Sequence, residues 1–207
     1  GGVIPIATGA AFAVSMKNLD KIVVIFIGDG AVEEGVFHES INFAKLKNLP
    51  ILFVCENNQY SVYTHLKLRQ PKRNILDIAK GHGLNCFKID GNNVLEVCKI
   101  TKDVIDQVRG GSGPCFIEAT TYRFKEHCGP NYDNQLGYRS EEEFQNWKLR
   151  DPLKLITEYM MNQKILNEVK LNIIIKKIDQ DILDAVKFAK DSPFPDKREL
   201  VRNVYAE

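Results

Sequence analysis

Three short stretches of this 207-residue chain place polar and charged side chains where chemistry is feasible. The first is Gly28-Asp29-Gly30-Ala31, set between the apolar run Ile22 to Ile27 and a helical pattern. Glycines at the carboxyl end of a strand let backbone approach a phosphate, and the following helix offers free N–H groups. An aspartate beside a diphosphate repels it unless a divalent cation bridges the two, so Asp29 points to a metal together with a diphosphate. A tight turn in which Asp29 caps the helix is the competing reading. The second stretch, Glu56-Asn57-Asn58-Gln59-Tyr60, ends the apolar run that begins at Ile51. One helix and one strand separate it from Asp29, so a carboxylate and an amide oxygen face one point from neighbouring strand ends, as Mg²⁺ prefers. Asn57-Asn58 also reads as a turn using left-handed backbone. The third stretch runs from Thr120 to Cys128 and holds Tyr122, Arg123 and His127 just beyond another strand. A lone histidine is more often structural or at the surface than catalytic, so His127 needs further support.

The elements that must carry these residues can be read from periodicity. Ile22 to Ile27, Ile51 to Cys55, Cys86 to Ile89 and Cys115 to Ala119 are short apolar runs, the pattern of parallel strands buried on both faces. Helical stripes lie between them, at Glu33 to Leu46 and at Val94 to Val108. An Ala/Gly-rich segment from Ile6 to Met16 predicts a buried helix ahead of the first strand. Alternating strands and helices predict an α/β fold, a parallel sheet with flanking helices and right-handed crossovers. After Thr121 a polar, Gly/Pro/Asn-rich loop reaches Tyr138, and charged helices follow. The expected organisation is one α/β domain over residues 1–139 and a helical extension over 140–207 packed on the same domain.

These residues also carry a family resemblance. Gly28-Asp29-Gly30 followed by Asn57-Asn58, with a helix and a strand between, resembles the cofactor motif of transketolase-like, thiamine-diphosphate-binding enzymes. Gly-Asp-Gly-Ala, Phe37 to Ala44, Leu49-Pro50 and Cys55-Glu56-Asn57-Asn58 resemble more closely the alpha subunits of 2-oxoacid dehydrogenases of the pyruvate, branched-chain and acetoin types. The likeness extends from Gly1 to about Pro195. It implies that Asp29, the side-chain oxygen of Asn58 and the backbone carbonyl of Tyr60 hold Mg²⁺, and that Gly30 and Ala31 contact the diphosphate of thiamine diphosphate. Tyr122, Arg123 and His127 fall on the Tyr, Arg and second His of the family's Tyr-Arg-x-His-x-His loop, and Tyr138-Arg139 match a later Tyr-Arg. The match implies that Arg123 and His127 stand at the diphosphate, with His127 serving the reacting centre. Lys125 replaces the first His. Cys128 stands where mitochondrial pyruvate members have a phosphorylated Ser, which excludes kinase control there.

The function so implied is oxidative decarboxylation of a 2-oxoacid with acyl transfer to a lipoyl group. Its partners are a beta subunit in an alpha2-beta2 heterotetramer, a lipoyl-bearing acyltransferase core and a small, pyruvate-like 2-oxoacid. In the family the beta subunit's glutamate activates the aminopyrimidine, and nothing assigns that role to Glu33, Glu34 or Glu56. Acetoin cleavage, a biosynthetic thiamine-diphosphate reaction and a non-catalytic partner-binding subunit stay open as alternatives.

Bulk properties exclude several other classes. With 28 Lys+Arg against 27 Asp+Glu the net charge is +1, which suggests no nucleic-acid surface. Cys55, Cys86, Cys98, Cys115 and Cys128 form no CxxC pair and read as reduced core cysteines of an intracellular protein rather than a disulfide or zinc framework. No apolar run reaches the roughly 20 residues of a membrane span, so a soluble protein is expected. The expected location is the bacterial cytoplasm, or the mitochondrial matrix in a eukaryote. The opening Gly1-Gly2-Val3-Ile4-Pro5 lacks an initiator Met and reads as an N-terminally truncated chain. Gly110 to Pro114 reads as a connection, His82 as a helix end, and Glu141-Glu142-Glu143 and Lys176-Lys177 as solvated helix faces.

Overall fold

A computed structural model describes residues 1–202 and 204, so the last few residues of the expected extension lie outside the described residues. The chain divides into two compact units, Gly1–Ile156 and Thr157–Glu207. In order, the elements are α1 (Val3–Met16), β1 (Val23–Gly28), a 3-10 turn (Asp29–Glu33), α2 (Gly35–Leu46), β2 (Ile51–Asn57), β3 (Tyr60–Ser61) and β4 (Thr64–His65). Next come α3 (Leu66–Arg69), α4 (Ile75–Gly81), β5 (Asn85–Asp90), α5 (Val94–Arg109), β6 (Cys115–Thr120) and a 3-10 turn at Asn134–Leu136. The chain continues through α6 (Glu141–Lys148), α7 (Pro152–Asn162), α8 (Glu168–Asp191) and a 3-10 turn at Lys197–Leu200.

The fold is the parallel α/β type that the apolar runs imply. Four strands form one sheet in the order β1-β2-β6-β5, and every neighbouring pair is parallel. Phe53 and Cys55 of β2 and Phe116 of β6 face one layer, packed with Ile4 and Ala11 of α1, Phe37 and Ile41 of α2, and Ile75 and Ala79 of α4. Leu52 of β2 and Cys115 and Ile117 of β6 face the other layer, against Val104 and Val108 of α5. Side chains alternate along a strand, so these two continuous apolar runs serve both layers at once.

Three expectations about burial need correction. Of the cysteines expected in the core, Cys98 and Cys128 are exposed. β1 is not buried on both faces: Ile25 and Ile27 are buried, but Phe26 is 63% exposed. It is one of the two edge strands of the sheet, and α5 centres on β2, β5 and β6. Nor is α1 buried all round. Only the stripe Ile4, Thr8 and Ala11 is covered, while Ile6 is 72% exposed. The i, i+4, i+7 spacing gives it one packing face, and Thr8 there returns its hydroxyl to the carbonyl of Ile4 at 2.9 Å.

A third cluster supports the strand ends. Tyr60, Tyr122 and Phe144 are buried together, with Phe124, Tyr138 and Trp147 packed against them. The rings of Tyr122 and Trp147 stack with centroids 5.3 Å apart and planes 6° from parallel. Ser140 starts α6 by accepting from the Glu143 N–H at 3.1 Å, the capping that ends an irregular segment. Because Phe144 and Trp147 pack on Tyr122, the first compact unit runs past residue 139 to Ile156. In the second unit, Asn167 caps α8 by accepting from Lys170 N–H at 2.9 Å. Among the described residues no helix is long and apolar enough to cross a membrane.

Candidate functional site

Register explains why the three motifs meet. Gly28 of β1 pairs with Glu56 of β2, and Asn57 of β2 pairs with Thr120 of β6. Three adjacent parallel strands therefore end level, and the residues just beyond them leave the sheet side by side. Asp29, Gly30, Ala31, Asn58, Tyr60, Arg123 and His127 all line one cavity of about 300 Å³. Such a crevice outside the carboxyl ends of strands is where open α/β sheets bind ligands. Ser61 and Glu34 complete the nearby wall and were not singled out by the sequence.

Asp29 opens the 3-10 turn after β1 and is only 1% exposed. No side chain caps that turn, so the capping reading of Asp29 does not hold. Its carboxylate instead pairs with the Arg69 guanidinium, which also reaches Glu33. Gly30 lies so close to the β3–β4 hairpin that a Cβ there would meet Ser61 Oγ at 2.7 Å. Glycine leaves the backbone open there, and any larger residue would displace Ser61.

The Asn57-Asn58 segment is both a turn and a donor of oxygens. Asn57 Oδ1 accepts from Gln59 N–H at 3.1 Å, and Asn58 Oδ1 accepts from Tyr60 N–H at 3.0 Å. Left-handed backbone occurs at Gln59, with φ of 68°, rather than at either asparagine. Beneath the turn, Asn57 Nδ2 donates to the buried carboxylate of Glu118 at 2.8 Å. Burial, then the charges of Asp29, Glu118 and Glu56, push the Cys55 thiol up, so it remains a neutral core group. The Tyr60 hydroxyl donates to Glu143 at 3.0 Å, and burial followed by that bond pushes its pKa up. Glu143 is therefore not on a purely solvated face, a correction to the reading of the Glu141 to Glu143 run.

On the opposite side, Arg123 anchors the loop that carries His127. Its guanidinium donates to the carbonyls of Lys125 at 3.0 Å and Val62 at 2.7 Å. It also meets His127 Nδ1 at 3.3 Å. A guanidinium only donates, so Nδ1 accepts and the ring proton resides on Nε2. Arg139 and Asp133 pair beneath the loop, with Nη2 and Oδ1 2.6 Å apart, and Tyr138 donates to Asp133 Oδ2 at 2.8 Å. Lys125, the substitute for the first His, lies 3.5 Å over the Tyr132 ring instead of lining the cavity.

The donor chemistry fits a hard cation with a diphosphate. Among the described residues no group of three or more His, Cys, Asp or Glu could hold a metal. Any ion at Asp29 would thus rely on one carboxylate, an amide oxygen, backbone and the ligand's own oxygens, the set that Mg²⁺ takes with phosphates. Sequence reasoning missed Arg69, Ser61, Glu118 and Glu143. Glu118 left a signal, a carboxylate inside the apolar run Cys115 to Ala119; Glu143 lies in the acidic run read as a solvated face, and Arg69 and Ser61 sit in polar segments of no distinctive pattern. His82 does follow the end of α4, as expected, but its Nε2 also faces His38 Nδ1 at 3.2 Å.

Comparison with known proteins adds family to geometry. The pyruvate dehydrogenase E1 component subunit alpha of Rickettsia felis is 35% identical over 205 residues, covering 99% of this chain and 62% of that protein. The chloroplastic pyruvate dehydrogenase E1 component subunit alpha-3 of Arabidopsis thaliana is 36% identical over 211 residues, covering 99% and 48%. The chain thus spans about half to three fifths of the length of these curated relatives. Among solved structures, an enzyme of Mycobacterium smegmatis described as thiamin diphosphate-dependent aligns at TM-score 0.46 and 26% identity, over 58% of this chain and 22% of its own. Transketolase from Campylobacter jejuni aligns at TM-score 0.48 and 21% identity, over 56% and 18%. The family model described as dehydrogenase E1 component matches residues 1–198, and the chain belongs to that family.

Proposed function

We propose that this chain supplies the metal and diphosphate half of a thiamine-diphosphate-dependent active site, as the alpha subunit of a pyruvate-type 2-oxoacid dehydrogenase. The observation that carries the reading is the single cavity lined by Asp29, Gly30, Ala31, Asn58, Tyr60, Arg123 and His127. Thiamine diphosphate, when bound, supplies the electron sink that decarboxylation of a 2-oxoacid needs. Asp29, Asn58 and the carbonyl of Tyr60 would hold Mg²⁺, and Gly30 and Ala31 would admit the diphosphate to bare backbone. His127, with Nδ1 engaged by Arg123, keeps Nε2–H to donate to an anionic oxygen of diphosphate or substrate. Arg123 holds that ring and its loop in place.

The chain would act with a beta subunit in an alpha2-beta2 assembly and deliver the acyl group to a lipoyl group on an acyltransferase core. The exposed Ile6 side of α1 is a candidate for close packing on that subunit. The bacterial relatives favour a bacterial cytoplasm as the location, whereas the plant relative is chloroplastic and lends nothing to the mitochondrial matrix.

The test is to prepare the full-length subunit alone and with the beta subunit, then measure decarboxylation of pyruvate, branched 2-oxoacids and acetoin cleavage, with and without chelator. Metal-dependent turnover of pyruvate by the mixture alone is expected. Equal turnover by the isolated subunit would refute the shared site. Equal thiamine diphosphate binding in chelator would refute the metal assignment.

A further inference from the structure

Resting on the metal reading of Asp29, we propose that Arg69 is the positioning residue that holds this carboxylate ready for its cation. Asp29 is 1% exposed, and a buried carboxylate without a counter-charge is strongly disfavoured. Arg69, whose side chain is 11% exposed, is the cation that pairs with it.

The guanidinium is itself fixed. Its Nε donates to the Thr64 carbonyl at 3.0 Å, which leaves Nη2 for Asp29 Oδ2 and Nη1 for Glu33 Oε1. Around this contact, Leu66 N–H donates to Gln59 O at 2.7 Å and Lys67 N–H to His65 Nδ1 at 3.0 Å. These bonds tie the hairpin and α3 to the turn that carries Asn58 and Tyr60. A planar fork spanning two acids fixes orientation as well as charge, which an ammonium cannot do.

Position defines the role. Asp29 lines the cavity, whereas Arg69 does not, so Arg69 addresses the carboxylate from outside the ligand space. Groups that orient a metal ligand without touching the ion act through that ligand. Glu33 forms the other arm of the bridge, with 28% of its side chain exposed.

The test uses the full-length protein with saturating thiamine diphosphate and Mn²⁺ as the probe, following free Mn²⁺ by electron paramagnetic resonance. Arg69→Gln is expected to weaken Mn²⁺ binding roughly 10- to 100-fold and, because it leaves Asp29 buried without its counter-charge, also to lower the melting temperature of the unliganded protein. Arg69→Lys keeps the charge but serves one carboxylate, so a smaller loss of severalfold is expected at an unchanged melting temperature. Glu33→Gln, which spares the Asp29 arm, should change affinity by less than about threefold. Unchanged affinity in Arg69→Gln overturns the proposal, as does an equal loss in Glu33→Gln, which would mean that Arg69 merely ties segments together. Should Arg69→Gln fail to fold, Arg69→Lys decides alone, and parental affinity in it overturns the role. A parent protein with no metal-dependent binding would overturn the metal reading and this proposal together.

Discussion

Arg139 and Asp133 form an ion pair sealed from solvent, Nη2 to Oδ1 at 2.6 Å, with side chains 1% and 2% exposed. Arg139 also donates to the carbonyls of Arg123 and Phe124, and so clamps the loop that brings Arg123 and His127 to the cavity. Breaking a buried pair by removing one partner leaves the other charge uncompensated. Arg139→Met is therefore expected to destabilise the protein by about 3–5 kcal/mol. Urea unfolding of the full-length protein measures it, and a loss of a few tenths would show the pair to be dispensable.

Gly30 is expected to tolerate no side chain while Ser61 stands opposite. A Cβ at Gly30 would lie 2.7 Å from Ser61 Oγ and 3.0 Å from its Cβ, so Ser61 must turn its hydroxyl away and give by a few tenths of an ångström. Gly30→Ala should weaken thiamine diphosphate binding at least tenfold, on the order of 1.4 kcal/mol. Adding Ser61→Gly should recover part of that loss. Calorimetric titration checks both, and an undiminished affinity in the single variant would remove Gly30 from the cofactor site.

His127 is exposed, and Arg123 is its hydrogen-bonding neighbour. Its replacement by alanine should cost little folding stability. Turnover should fall by roughly 10²- to 10⁴-fold if the imidazole serves the reacting centre. Steady-state decarboxylation by the assembled enzyme, read beside a thermal melt, separates the roles. Parental activity with a collapsed melting temperature would make His127 a structural residue.

Stability should depend on pH through His38. Burial first, then the neighbouring His82 and Arg73, hold its pKa below the ordinary 6.5. A histidine depressed in the folded state takes up a proton more readily when unfolded. Its contribution is complete above pH 6.5 and is lost as pH falls through the lowered folded value. The melting temperature is expected to decline on acidification below neutrality, and His38→Gln should flatten that decline. An unchanged slope would show that other groups govern the acid limb.

The apolar runs of the sequence mark the four strands of the main sheet and the places where ligand chemistry can sit, but not the β3–β4 hairpin, whose short strands carry no such run. Four apolar runs are stabilised by leaving water, and the glycines, carboxylate and amides after the first two of them suit both a tight turn and a ligand site. The wording of those ends was enough to indicate the family. Tertiary structure alone decided the order β1-β2-β6-β5, because that order is chosen by packing between segments far apart in the chain. It placed Thr120 level with Asn57 and Gly28 level with Glu56, and so turned three separate motifs into one cavity wall. Edge position, invisible in the apolar run of β1, left Phe26 exposed. Arg69 on Asp29, and Glu118 beneath Asn57, could not be foreseen for the same reason. A charged side chain carries no periodicity that names its partner, and these partners, 40 and 61 positions apart in sequence, meet only once the chain between them has folded.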